Sequence, residues 1–488
     1  VGRAWRVSCT VPECKSRVSK EIIMIGEKRC YEILKSALKY AQSKKPDFVD
    51  FLLLGWDSSV TRVANSQIHQ NVSETEASLA VDIIHNLRIG SASTSVLTEE
   101  SIDRVIDIAF ESTHHKAQLP NPLNLHSFSH GTKAGRFFDA TARLTPHERA
   151  TIIQRLIRRA GSESLQVSAK FHSGAGEIAV ANSRDTLTYT TFTDANFSSI
   201  LTGTYGSAYA STASPDIDQI DFDEFFDHLI CKCRLQNRRP QDLFAGKKPG
   251  EEMYYDVILE PAAVAEWIDF LSFSGFNGLT YLEEESFLWG KLGQKVLGDN
   301  IDIWDDGTDP AGYVLPFDFE GTPKSKVFFI ERGVAKNVAY DGLLAAKSKT
   351  KSTGHSLGAG QRHLGAFPLN LFVGGDDQSL DYMIASSEDP TIYVTRFHYT
   401  NVADVKNVVL TGMTKDGTFL VKNGEIVAPV SNLRYLHSVL EALNHVEMLS
   451  DPVLVHDPDI YGALMPSCSV VPAMKIQKVR FIGSTGSE

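Results

Sequence analysis

Gly174-Ala-Gly176-Glu-Ile-Ala179 has the GxGxxA spacing that brings a dinucleotide's pyrophosphate to a helix N-terminus. That chemistry requires a helix directly after the glycines. Both flanks here alternate like strands, so the pattern predicts a hairpin turn instead. His147-Glu148 is the chain's only His-Glu dipeptide. A zinc-peptidase helix needs a second histidine one turn later, and Arg-Ala-Thr-Ile follows. Thr145 and Glu148 have capping-box spacing around Pro146, which assigns them to a helix start. His126 and His130 are four apart and could meet on a helix, but neighbours rich in Asn, Pro and Ser predict a solvated loop.

Glu283, Glu284, Glu285 and the pair Asp305-Asp306 are the densest acidic clusters. Paired carboxylates can divide general-acid and general-base work. Acidic runs without a partner form solvated faces or turns, which is the expectation here. Cys468 follows Met-Pro-Ser with no histidine beside it, which argues against a nucleophile. Residues 347–354 alternate Lys with Ser and Thr and run through His355 into Gly358-Ala-Gly-Gln-Arg362-His363. A flexible, basic, hydroxyl-rich loop can line a groove or clamp a carboxylate or phosphate. A solvated surface loop is the alternative.

These residues need elements to place them. Leu34, Leu38 and Ala41 recur at helical spacing, which predicts a helix over 27–43. An apolar run over 47–54 and alternation over 60–71 and 78–84 predict short strands, and 89–94 continues the sheet. Thr98 then caps a helix whose apolar face is Ile102, Val105, Ile106 and Ala109. Residues 24–113 thus form an N-terminal helix-strand-helix unit. A polar linker over 114–135 separates it from a middle α+β unit at 136–236, which starts with the Pro146 helix and closes with one over 222–233. Residues 237–252 form a second linker. A larger, strand-rich domain covers 253–486, with hairpin turns at Lys415-Asp-Gly417 and Lys422-Asn-Gly424 and helices near 262–273 and 433–448. The fold class is α+β, multi-domain.

Composition narrows the function classes. The 488 residues carry 48 Lys and Arg against 60 Asp and Glu, a net charge of −12 that repels phosphate backbones at long range. No apolar run is long enough for a membrane span. Six cysteines, including the CxC pair Cys231 and Cys233, make neither a disulfide framework nor a zinc-ligand set, which points to reduced thiols and the cytoplasm. Residues 1–21 mix basic residues with Cys9 and Cys14 and lack a signal peptide's apolar run, so Met24 is the expected natural start.

The order of segments resembles the TldD/PmbA proteins, described as zinc-dependent peptidases and, historically, as modulators of DNA gyrase. The match begins at Thr61-Arg-Val-Ala-Asn65-Ser-Gln-Ile-His69-Gln-Asn71. It continues through Ser286-Phe-Leu-Trp-Gly-Lys-Leu-Gly, Ile303-Trp-Asp-Asp306, Pro316-Phe-Asp318-Phe-Glu320-Gly321, Ile330-Glu-Arg-Gly333, Tyr340-Asp341 and Ser352-Thr-Gly354. Asn423-Gly-Glu425 and Pro429-Val follow in order, so the resemblance covers nearly all of 24–483.

The resemblance implies two kinds of chain. TldD-like members carry His-Glu-x-x-x-His on a helix early in the last domain, completed by a cysteine near the C-terminus; PmbA-like or TldE-like members lack these ligands and pair with them. Here the helix reads Glu260-Pro-Ala-Ala-Val-Ala265-Glu266-Trp-Ile-Asp-Phe270. Ala265 and Phe270 stand at the histidine positions, and Cys468 is too close to the terminal strand for the cysteine position. The chain is therefore similar to a PmbA/TldE-type subunit with no metal or other cofactor. The implied partners are a TldD-like zinc peptidase subunit or a second copy, and the implied substrate is an unfolded or modified peptide, as in microcin-leader trimming. Lys351, Thr353, His355, Arg362 and Asn370 are the positions put forward to hold peptide or partner. Two other functions stay open. One is a stand-alone peptidase or hydrolase using Glu266, Glu283 to Glu285 or Cys468. The other is a gyrase or nucleic-acid modulator using the stripe Arg155, Arg158 and Arg159, which a solvated helix face also explains.

Overall fold

Helix α1 (Glu27–Ser43) buries Cys30, Ile33, Leu34, Ala37 and Ala41 along one stripe. The Glu177 carboxylate anchors its N-terminus, accepting from the backbone of Ile25 at 2.6 Å and Gly26 at 3.0 Å, where the helix dipole favours a negative charge. The computed structural model describes residues 24–119, 130–132, 135–248, 250–456 and 465–485. The expectations about Met24 as start, Cys9, Cys14 and the His126–His130 pair rest on residues or side chains outside these.

Two long strands follow, β1 (Phe48–Ala64) and β2 (Gln67–His85), then β3 (Arg88–Thr94) and helix α2 (Glu99–Thr113) with its Thr98 cap. The breaks expected after residues 54 and 71 do not occur. Polar residues there lie within the sheet: Asp57 and Ser59 are buried, so alternation continues with polar side chains inward. The turn falls at Asn65 and Ser66, both with positive φ, as a two-residue hairpin loop requires.

After β4 (His130–Thr132) and the short α3 (Asp139–Ala142), helix α4 (Pro146–Ser162) starts with the full capping box of Thr145 and Glu148. Strands β5 (Gln166–Asn182), β6 (Thr186–Thr202) and β7 (Ser207–Ser214) and helix α5 (Phe222–Gln236) follow. The sheet order is β3-β2-β1-β5-β6-β4, with β7 on β6. β1 pairs with β5 along nearly its whole length, so the stretches 24–113 and 136–236 contribute to one continuous sheet. Gly174 and Gly176 sit inside β5, not in a turn. A Cβ on Gly176 would lie 2.3 Å from the Phe192 ring, so the glycine serves close packing across the sheet.

The remaining chain forms two further sheets. One holds β8 (Met253–Leu259), β13 (Thr391–Asp404), β14 (Val409–Lys422), β15 (Glu425–Pro429), β16 (Leu433–Ser438), β17 (Val446–Leu449) and β20 (Met474–Ser484). The other holds β9 (Ile303–Asp305), β10 (Val327–Glu331), β11 (Val334–Ala335), β12 (Asn370–Val373), β18 (Val453–Val455) and β19 (Cys468–Val471). Helix α6 (Pro261–Gly275) packs against both, and α7 (Gly278–Leu282), α8 (Gly342–Lys347), α9 (Leu380–Ala385) and α10 (Val439–Leu443) are short. The single helix expected near 433–448 is instead β16, α10 and β17. Leu433, Tyr435 and His437 are buried in alternation, a strand period that the leucine count obscured. The architecture is mixed α+β throughout. No described helix is long and apolar enough to cross a membrane.

The first sheet meets the last part of the chain through Leu52, Ile178, Val180 and Phe192 against Leu315, Phe317 and Phe319. The polar clusters below are built around this contact.

Candidate functional site

Helix α6 opens with Pro261 in its first turn, after Glu260, whose carboxylate takes Lys232 Nζ at 2.8 Å and the Tyr393 hydroxyl. Ala263, Val264, Ala265, Trp267, Ile268 and Leu271 are buried, which leaves one polar stripe, Glu266 and Asp269. Glu266 is half-buried and its carboxyl is raised by burial, against a hydrogen bond from Thr400. Asp269 is exposed at its edge; its carboxyl is pushed up to about 6 by desolvation first, with the Glu266 charge adding and the Ser469 hydroxyl at 2.9 Å opposing.

The residues on this helix do not fit a zinc ion. Ala265 and Phe270 offer no donor atom. Cys468, on β19, accepts from the Tyr313 amide at 3.3 Å and the Asn370 amide nitrogen at 3.8 Å, and burial pushes its thiol up to about 12. It is a protonated core thiol, not a ready thiolate. Among the described residues, no three His, Cys, Asp or Glu side chains are grouped to hold a metal. Two carboxyls three residues apart can instead receive a cationic or hydrogen-bond-donating group.

Three of the five sequence-derived positions converge on one carboxylate. Asp305, expected in an exposed turn, is fully buried on β9. It pairs with Lys324 Nζ at 2.5 Å, faces His355 Nε2 at 3.3 Å, and accepts the amides of Leu369 at 3.0 Å and Asn370 at 2.8 Å. Burial works upward on this carboxyl, but Lys324 and His355 outweigh it and hold it well below the usual range. Burial first, then Lys324, lowers the pKa of the His355 imidazole, against the pull of Asp305. Its Nδ1 lies 2.8 Å from the Thr353 hydroxyl. Hydroxyl, imidazole and carboxylate follow in the order of a nucleophilic triad. Thr353 Oγ1, however, accepts the Tyr340 amide at 2.7 Å and lies 3.1 Å from the Tyr340 carbonyl, so backbone brackets it. The set ties a loop to the core. The loop expected to be flexible is thus exposed at Lys347 and over Lys349, Thr350 and Lys351, and buried at Gly354, His355 and Ser356.

Arg362 goes elsewhere. Its guanidinium, nearly buried, fans out to Asp50, to Asp82 at 2.9 Å and to Glu320 at 2.6 Å, linking β1 and β2 to the last part of the chain. Asn370, fully buried, donates to the carbonyls of Tyr313 at 2.7 Å and Pro466 at 3.0 Å. Lys351 joins neither cluster.

A third cluster had no sequence signal of its own. Asp194 takes His172 Nδ1 at 2.8 Å and the Tyr313 hydroxyl, with His456 Nε2 at 3.5 Å, across the same contact between sheets. Burial would raise this carboxyl, but the three partners outweigh it. Asp50 and Asp82 did carry a signal: each is a carboxylate inside an apolar strand run, which requires a buried cation. Glu283, Glu284 and Glu285 are exposed. In the basic stripe, Arg155 pairs with Asp223, and Arg159 with Asp223 and Asp227.

Residues 252–483 match the family model described as PmbA/TldA metallopeptidase C-terminal domain, and residues 55–113 match PmbA/TldA metallopeptidase domain 1. An uncharacterized protein of Methanocaldococcus jannaschii is 28% identical over 231 residues, 46% of this chain and 53% of that one. A metalloprotease TldD homolog of Buchnera aphidicola is 32% identical over 184 residues, 36% of each. The chain therefore spans about half the length of the first relative and about a third of the second. Among solved structures, TldE from Thermococcus kodakarensis superimposes with a TM-score of 0.80 at 17% identity, over 92% of this chain and 100% of that one. A candidate modulator of DNA gyrase from Bacteroides thetaiotaomicron does so with a TM-score of 0.75 at 19% identity, over 94% and 100%. Likeness at this identity shows the fold.

Proposed function

This chain belongs to the TldD/PmbA family, and from that premise we propose that it is the PmbA/TldE-type, non-catalytic subunit of a TldD-like zinc peptidase. The observation that carries the proposal is the surface of α6, where Ala265 and Phe270 occupy the two positions at which the family resemblance implies zinc-binding histidines. A zinc site needs about three protein donors, and of the His-Glu-x-x-x-His pattern this helix keeps Glu266 alone. The active partner supplies the metal and the bond cleavage. This chain supplies a wall of the enclosing chamber and an edge for the peptide, in the cytoplasm.

An edge is available. β2 pairs with β3 only over Leu79–His85, so among the described residues no strand covers 67–78 on that side. An extended peptide can add there through main-chain hydrogen bonds, which accept many sequences.

The test combines metal analysis with peptide hydrolysis, on the chain alone and mixed with a TldD-like subunit. The expected result is no zinc and no cleavage alone, and chelator-sensitive cleavage on mixing. Stoichiometric zinc, or cleavage by the chain alone, would overturn the proposal and favour a stand-alone hydrolase.

A further inference from the structure

Beside the Asp305 cluster, a groove of about 470 Å³ opens between β10 and the loop at Ser352. Its walls include Ser325, Lys326, Phe328, Glu331, Lys336 and Thr353. The segment that lines the groove is charged oppositely to the whole chain. Residues 323–353 hold seven cationic side chains and two acidic ones, a sum of +5 within a protein of net charge −12. Lys324 is spent on buried Asp305, and buried Asp341 is spent on capping α8. That leaves Glu331 as the surface carboxylate of the segment, and Lys336 holds it at 2.9 Å.

Lys326 sets the character of the groove. Its ammonium lies 3.9 Å from the Trp304 ring centroid and 4.8 Å from that of Phe328. Among the described residues, no carboxylate pairs with Lys326, Lys347, Lys349 or Lys351. A cation held over two rings keeps its full charge while losing much of its freedom, so it is preorganised for an anion. Lys351, next to the groove-lining Ser352, extends the positive rim.

We propose that this groove binds a carboxylate-rich stretch of polypeptide. The inference deepens the proposed function by naming which peptides the subunit selects, and it concerns this chain alone. Polynucleotides fit worse for two reasons. The aromatic faces on which bases would stack are already covered by Lys326. Outside this segment the chain is strongly acidic and repels a long polyphosphate, whereas a short acidic stretch spans only the groove.

The test measures binding of fluorescein-labelled dodecapeptides to the full chain by anisotropy: a Glu-rich peptide, its Gln-for-Glu analogue, a Lys-rich peptide and a single-stranded oligonucleotide. The Glu-rich peptide is expected to bind at least tenfold more tightly than the Gln analogue and to weaken as salt rises. Lys326→Glu with Lys351→Glu, both at exposed positions, should lose that binding and gain the Lys-rich peptide, which a misfolded variant would not do. Equal binding of the Gln analogue, an unchanged affinity in the double variant, or tighter binding of the oligonucleotide would overturn the inference. Because no partner or metal enters the assay, its failure leaves the partner-subunit proposal standing, and the failure of that proposal would not alter these affinities.

Discussion

Arg362, put forward to hold peptide or partner, lies in a nearly buried ionic cluster. Its position after a glycine-rich, basic stretch suggested a clamp for substrate. The guanidinium is instead consumed by Asp50, Asp82 and Glu320, a fork geometry that lysine's single ammonium cannot reproduce. Removing one partner of a buried ionic cluster strands the others, at a cost of about 3–5 kcal/mol. Arg362→Ala is therefore expected to lower the unfolding free energy by about that amount, and Arg362→Lys by less, in urea titrations followed by fluorescence. Adding Asp50→Asn to Arg362→Ala should recover part of the loss, because one fewer carboxylate is stranded. An Arg362→Ala protein as stable as the parent would show that solvent already reaches the cluster.

Among the elements, strands with alternating apolar residues were mostly legible, 433–438 being the exception, as were long helices in which a cap preceded a stripe. α1, α2, α4 and α5 follow from Leu34, Thr98, Thr145 and Phe222 with little ambiguity. The joining of β1 to β5 was not legible, because no local pattern specifies which distant strand supplies the partner edge. The polar clusters failed to appear for a related reason. Asp305 is adjacent in sequence to an acid and in space to Lys324 and His355, and only the second adjacency fixes its charge. Gly176 offers a direct check on the element level. If it lies mid-strand against Phe192, as the 2.3 Å approach of a Cβ indicates, overpacking should cost Gly176→Val about 1–3 kcal/mol. A phosphate-binding turn would predict little loss of stability and a loss of nucleotide affinity instead. Thermal unfolding, with and without a dinucleotide present, separates the two.

At the scale of the whole molecule, the contact between the first sheet and the last part of the chain carries excess negative charge. Asp50, Asp82, Glu320 and Asp341 surround one guanidinium, and cations and carboxylates there do not balance. Asp50 consequently has its carboxyl pushed up to about 7, by burial first and then by Glu320 and Asp82 against the opposing pull of Arg362. Asp341 is raised to about 6, again by burial and then by Glu320. In the unfolded chain both would titrate near the ordinary aspartate value of about 3.9. A carboxyl that holds its proton longer when folded stabilises the fold at low pH, and that contribution fades as pH rises toward the folded value. From these two groups, stability should thus decline between about pH 4 and 7 and level off above. Asp305 acts in the opposite sense, since its depressed value adds stability that is lost only as pH falls below the ordinary aspartate range. Asp50→Asn removes the larger of these two rises without removing volume. Its midpoint temperature should therefore vary less with pH across that window than the parent's, with the two curves diverging most near pH 7. Parallel curves would mean that Asp50 is ionised throughout and that Arg362 balances more of the cluster than its three contacts suggest.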